Sequence, residues 1–166
     1  MLARSLLALF VAVMTAHAAE FPDSIPATKC RGHKKIFAAF SEGMTTAHKI
    51  KISSAFFIQA GSVAVHGCKT FKGSDNCRES VDIGFLIAPG ATGELPCIFL
   101  NYGLTSEDGG ETEFWSNTSN CTVTIIKNDA DGRLKGEYHA ELTGGAGPEL
   151  GSGEIVGCFN AKQQNL

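Results

Sequence analysis

Two cysteine–histidine pairs are the sharpest chemical candidates in this 166-residue chain. Cys30-x-x-His33 and His66-x-Cys68 together offer two thiols and two imidazoles. That donor set suits tetrahedral zinc, whose borderline softness accepts both ligand types. The two pairs lie far apart in the chain, however, and the same cysteines are candidates for disulfides. Oxidation of either thiol would remove the site.

The remaining constellations read as structure rather than chemistry. Asp129-x-Asp131-Gly132 resembles a fragment of a calcium loop. An EF-hand needs oxygen ligands at its ends, and with Gly132 at the loop glycine those ends fall on Lys127 and Tyr138. The segment is therefore expected to be a hairpin turn. Ser152 sits between Gly151 and Gly153, without the strand-to-helix setting of a nucleophile elbow. Glu107, Asp108, Glu111 and Glu113 are abundant carboxylates, but glycoside hydrolysis needs two of them facing across a cleft. A single Trp offers little sugar-stacking surface, so these residues read as solvated loop acids. The glycine-rich run from Gly144 to Pro148 precedes no helix, and a phosphate cradle wants a helix N-terminus. His139 falls on the polar face of a strand pattern and is expected to be exposed. No catalytic residue, metal or cofactor is assigned.

The elements that must carry these residues read as strands. Leu134, Gly136, Tyr138, Ala140 and Leu142 share one face of a period-2 pattern, while Lys135, Glu137, His139 and Glu141 share the other. Before it, residues 122–127 read as a partner strand, joined through the turn chemistry of Asn128 to Gly132. After it, Ile155, Gly157, Phe159 and Ala161 line one face of residues 154–161. Upstream candidates are residues 49–59, 62–68, 80–88, 95–103 and 112–116. The runs at 81–88 and 97–102 are apolar on both faces and are expected to be central strands; 36–40 is open between a strand and a helical turn. Nineteen Gly and eleven Phe beside three Met agree with strands and turns. The expected fold is all-β, an antiparallel sandwich of about eight or nine strands stapled by disulfides, with a barrel as the alternative.

The run Ile125 to Leu142, followed by Gly153 to Phe159, resembles the end of certain bacterial secreted and lipoprotein β-sandwich domains of unknown function. Those end in a similar hairpin, a strand with glycine, aromatic and leucine in alternation, and a final G-x-F strand. The likeness spans roughly residues 120–161, implies a sandwich fold and carries over no functional residue. Six cysteines and the lack of a lipid-attachment cysteine are departures from that pattern.

The N-terminus has the parts of a secretory signal over residues 1–18: Arg4, an apolar run from Ser5 to Thr15, and small residues at Ala16 and Ala18. The run is shorter than the ~20 residues that cross a bilayer. Residues 19–166 then form a single secreted or periplasmic domain. In that oxidising setting the six cysteines read as three disulfides. Proximity favours Cys68 with Cys77; Cys97 with Cys121 and Cys30 with Cys158 follow. The sequons at Asn117 and Asn120 operate only in a eukaryotic secretory pathway, and the signal reads as bacterial.

Charge is uneven. Residues 20–86 carry nine Lys/Arg against six Asp/Glu, a net of +3, and residues 87–166 carry four against eleven, a net of −7. There is no basic stripe interleaved with aromatics, so a nucleic-acid partner is not expected. Neither is a membrane span in the exported form. The first functional expectation is a non-catalytic binding domain with a protein or envelope partner, of which an inhibitor is one version. A carrier of small apolar ligands and an unrecognised small hydrolase are the alternatives.

Overall fold

The computed structural model describes residues 21–32, 34–41, 44–59, 61–108, 112–144 and 151–162, with backbone alone at 44–46, 53–59, 112 and 118–119. The signal segment, His33, Glu111 and residues 145–150 lie outside the described residues. Among the described residues eight strands follow one another: β1 (Lys35–Phe40), β2 (Met44–Gln59), β3 (Ser62–Thr70), β4 (Cys77–Leu86), β5 (Gly93–Thr105), β6 (Thr112–Asn128), β7 (Arg133–Gly144) and β8 (Ser152–Lys162). Each pairs antiparallel with the next, and β1 also pairs with β8 from Lys35↔Asn160 to Phe40↔Ile155.

The all-β, antiparallel, disulfide-stapled class is as expected, and of its two architectures the closed barrel is the one adopted. Closure joins the first and last strands and leaves no sheet edge unpaired. Bulges supply the curvature, since an extra residue bends and twists the strand that carries it. They interrupt the ladders at Ala38/Phe40, Ile52/Ser54, Gly84/Phe85 and Ile125/Lys127, among others.

One segment left open is resolved and one expectation changes. Residues 36–40 form strand β1. The runs at 112–116 and 122–127 are two halves of the single long strand β6, whose pairing with β5 skips from Pro96↔Thr122 to Asn101↔Ser116. Two interactions bridge that gap. Cys97 is bonded to Cys121, and the Asn117 side-chain oxygen accepts the Leu100 N–H at 2.5 Å.

The interior follows the alternation. Val81, Ile83 and Phe85 point inward from β4, as do Leu134, Tyr138, Ala140 and Leu142 from β7, and Ile155, Phe159 and Ala161 from β8. Phe40, Phe85, Tyr102, Trp115, Tyr138 and Phe159 are all buried there. Among the described residues these aromatic side chains pack into one apolar cluster, which supplies the main stabilising burial. The runs at 81–88 and 97–102 do not become strands covered on both faces. A closed barrel has only one covered side, and Leu86 and Ile98 stand 60% and 54% exposed outside it.

A strap formed by residues 21–30 lies against the outer wall of β7, β8 and β1. Ile25 and Cys30 bury Ala39, Val156 and Cys158 in a small second apolar cluster. The Cys30–Cys158 disulfide anchors it. Glu137 Oε1 accepts the Ala27 N–H at 2.6 Å, and Asn160 Nδ2 donates to the Cys30 carbonyl at 3.0 Å.

Candidate functional site

Inside the barrel the only buried charged side chain among the described residues is Glu79, 3% exposed. It stands in phase with Val81, Ile83 and Phe85, so the strand's alternation turns it inward. His48 holds the same phase with Ile50 and Ile52 on β2. Its Nε2 lies 2.5 Å from Glu79 Oε1. The Tyr102 hydroxyl donates to the same oxygen at 3.2 Å, and Lys69 Nζ lies 3.9 Å from Oε2. Burying a carboxylate is costly unless charge and hydrogen bonds compensate it, and these three groups do so. Phe40, Tyr102 and Trp115 pack beside them, with ring centroids 4.9 to 5.8 Å apart. Burial first, then the Glu79 charge, pushes the Tyr102 hydroxyl well above its ordinary pKa. No buried side-chain polar atom among the described residues lacks a hydrogen-bond partner, so the cluster's chemistry is that of a satisfied polar core near one end of the barrel.

On the outer wall, His66 of β3 stands directly opposite Asp82 of β4. His66 Nδ1 lies 2.5 Å from Asp82 Oδ1. That hydrogen bond raises the imidazole pKa, burial works against it, and the Asp82 charge adds to the rise. Cys68, two residues on, is bonded to Cys77 at the start of β4.

The zinc set that the two cysteine–histidine pairs suggest does not assemble. Cys30 is bonded to Cys158 under the strap and Cys68 to Cys77, so neither thiolate is available. Cys158 is on β8 and Cys68 on β3, with β1 and β2 between them, a separation of about 14 Å along the wall at the usual strand spacing. His33 lies outside the described residues. What the structure does bring together is His66, Cys68 and Cys77. All three disulfides join the pairs that spacing favours, Cys97–Cys121 among them.

The other candidates fall on the surface. Gly132 takes a φ of 78° in the turn that begins at Asp129, and its N–H donates to the Asp129 carbonyl at 3.0 Å. Glu107, Asp108 and Glu113 are exposed at the β5–β6 connection, where Ser106 donates to Asp108 at 2.5 Å. Ser152 opens β8 opposite Thr143. His139 is on the outer face, 3.8 Å from Glu154. Between the strap and β6–β7 lies a groove of about 130 Å³, lined by Asp23, Ser24, Thr122, Thr124, Glu137 and His139 among others. Of the two sequon asparagines, Asn117 is tied to the Leu100 backbone and Asn120 is exposed.

The barrel also gives the charge asymmetry a shape. Strand order around the wall is chain order, so the basic half of the sequence becomes one side of the barrel and the acidic half the other. On each side two like charges meet across a ladder. Lys35 stands opposite Lys51, with Lys49 nearby on β2, and Glu141 stands opposite Glu154. Lys49, Lys51, Glu141 and Glu154 are exposed. Like charges directly opposite destabilise a sheet, so neither pair helps to hold the fold. Sequence reading missed Glu79, His48 and these cross-strand pairs. The phase of the alternation could have found the first two; the pairs needed the register.

Comparison with protein-family models, with curated proteins and with solved structures finds no match to this chain.

Proposed function

We propose that this is an exported, non-catalytic binding protein that holds a basic partner, a protein or an envelope component, on the acidic side of its barrel. One observation carries the reading: Glu141 and Glu154 stand directly opposite each other on the exposed wall, at a cost to the sheet that a cationic partner would offset. The packing among the described interior residues supports an outside surface as the binding element: Phe85 and Phe159, candidates to line a carrier's cavity, pack against each other, and Phe40 packs against Tyr102 and Trp115. The groove under the strap is smaller than the ~300 Å³ at which ligand pockets begin. Three disulfides suit an oxidising compartment outside the cytosol. No helix among the described residues is long and apolar enough to cross a membrane. Charged side chains outside and an apolar interior are also the reverse of a membrane-spanning barrel.

The experiment is capture from native envelope extract on the immobilised exported chain. It is repeated with Glu141→Gln/Glu154→Gln and at rising salt, which screens exposed charges. The reading expects a partner retained by the wild type, lost from the double variant and released by salt. Capture that ignores both changes, or an apolar small molecule that co-purifies with the barrel, would sink it.

A further inference from the structure

The outer wall of β3 and β4 holds three ligand-type side chains that an acidic docking face on β7 and β8 does not use. His66 and Cys68 alternate onto one face of β3, and Cys77 opens β4 beside them. One donor atom from each, a His66 ring nitrogen and the two sulfurs, lies within 4.8 Å of the others. Zinc bonds of about 2.0–2.3 Å place neighbouring tetrahedral donors roughly 3.5–3.8 Å apart. The two sulfurs, bonded at about 2 Å in the disulfide, therefore need to part by roughly 1.8 Å once it is cut, and each needs to close on the ring nitrogen by about 1.3 Å at most, shifts that side-chain rotation supplies.

Two features of the wall prepare these residues for metal. Asp82 engages His66 Nδ1, which orients the ring and assigns Nε2 to a metal, the carboxylate–histidine arrangement that supports many zinc ligands. The β3–β4 ladder is continuous from Ser62↔Leu86 to Lys69↔Glu79 and resumes, past a bulge, at Thr70↔Cys77. Cutting the disulfide therefore leaves both thiols beside each other on the same sheet. Access differs among the three bonds as well. Cys30 and Cys158 are each wholly buried, whereas Cys77, like Cys97, is partly exposed, and among the described residues only Cys77 has a histidine beside its disulfide.

We propose that reduction of the Cys68–Cys77 disulfide by a dithiol turns this corner into a zinc site, with Cys68, Cys77 and His66 as ligands and water at the fourth position. The dithiol transfers two electrons and two protons to the sulfur–sulfur bond, which breaks to two thiols, and leaves as its own disulfide. Zinc then displaces the two thiol protons to solvent, because thiolate is the ligating form. Exchange with a small-molecule disulfide, which takes the two electrons and leaves as two thiols, restores the Cys68–Cys77 bond and expels the ion. The oxidised protein binds no metal here, so the site is switched by redox state.

Cobalt(II) is the probe, titrated into the full exported chain before and after reduction with a phosphine and followed by cobalt–thiolate charge-transfer absorbance. One cobalt per chain is expected in the reduced protein and none in the oxidised one. Cys97→Ser/Cys121→Ser should keep the signal and Cys68→Ser/Cys77→Ser should abolish it. Asp82→Asn should weaken binding about tenfold or more. His66→Ala separates an ordered site from loose thiolates on an unfolded chain, since loose thiolates bind cobalt with or without that imidazole. Equal uptake by the His66→Ala protein overturns the proposal, as does absence of cobalt uptake by the reduced wild type.

Discussion

Tyr138 of β7 lies across Gly157 of β8 and donates its hydroxyl proton to the Phe37 carbonyl of β1 at 3.1 Å. A Cβ at Gly157 would fall onto the tyrosine ring, its hydroxyl and that same carbonyl. Gly157→Ala therefore has no cheap relaxation, because one of its obstacles is backbone. It should cost about 3 kcal/mol by overpacking, and Tyr138→Phe about 1 kcal/mol through the lost hydrogen bond. Urea unfolding of both variants checks the order. A neutral Gly157→Ala would mean that β1, β8 and β7 do not meet in this register.

Both tyrosines of the chain are buried, and their hydroxyls are pushed above the ordinary value, first by burial and then by the Glu79 charge. A raised folded-state pKa contributes stability that is present below the unfolded value of about 10 and is lost as pH rises beyond it. The barrel should therefore weaken above about pH 10, with tyrosinate absorbance appearing together with loss of near-UV circular dichroism. Ionisation of either tyrosine near pH 10 in a still-folded barrel would contradict this.

Glu79→Ala removes the acceptor for His48 and Tyr102 at once. Leaving buried polar partners without it should cost about 2–4 kcal/mol. Glu79→Gln keeps an acceptor oxygen and the same volume, so its cost should be smaller. Equal midpoints for the two variants in urea would show that the retained acceptor oxygen contributes nothing.

The disulfides close loops of very different length: 128 residues for Cys30–Cys158, 24 for Cys97–Cys121 and 9 for Cys68–Cys77. On the chain-entropy model, double Cys→Ser variants should lose about 5, 3.5 and 2.5 kcal/mol respectively. Thermal melts of the three double variants test the ranking. If the Cys68/Cys77 variant is the least stable, strand geometry outweighs loop entropy in this wall.

Much of this was legible in the sequence because it is local. Successive strand residues face opposite sides, so the phase running through Tyr138 and Phe159 determined which residues would be buried. The turn at Asp129 to Gly132 and the Cys68–Cys77 staple were readable from spacing. The alternation of β4 puts Glu79 in phase with Val81, Ile83 and Phe85, but composition makes a glutamate read as solvated, and only its partners on β2 and β5 account for its burial.

Closure was not readable, because it depends on β1 meeting β8, and no local pattern records whether strands join into one ring or divide between two sheets. The zinc-like pairs illustrate the same division. Residue types and spacing nominated Cys30, His33, His66 and Cys68, whereas the register of β3 against β4 brought Cys77 and Asp82 to His66. Side-chain phase is a property of one strand and is written in its residues. Neighbours across a wall are decided by bulges and pairing, and exist only once the barrel has formed.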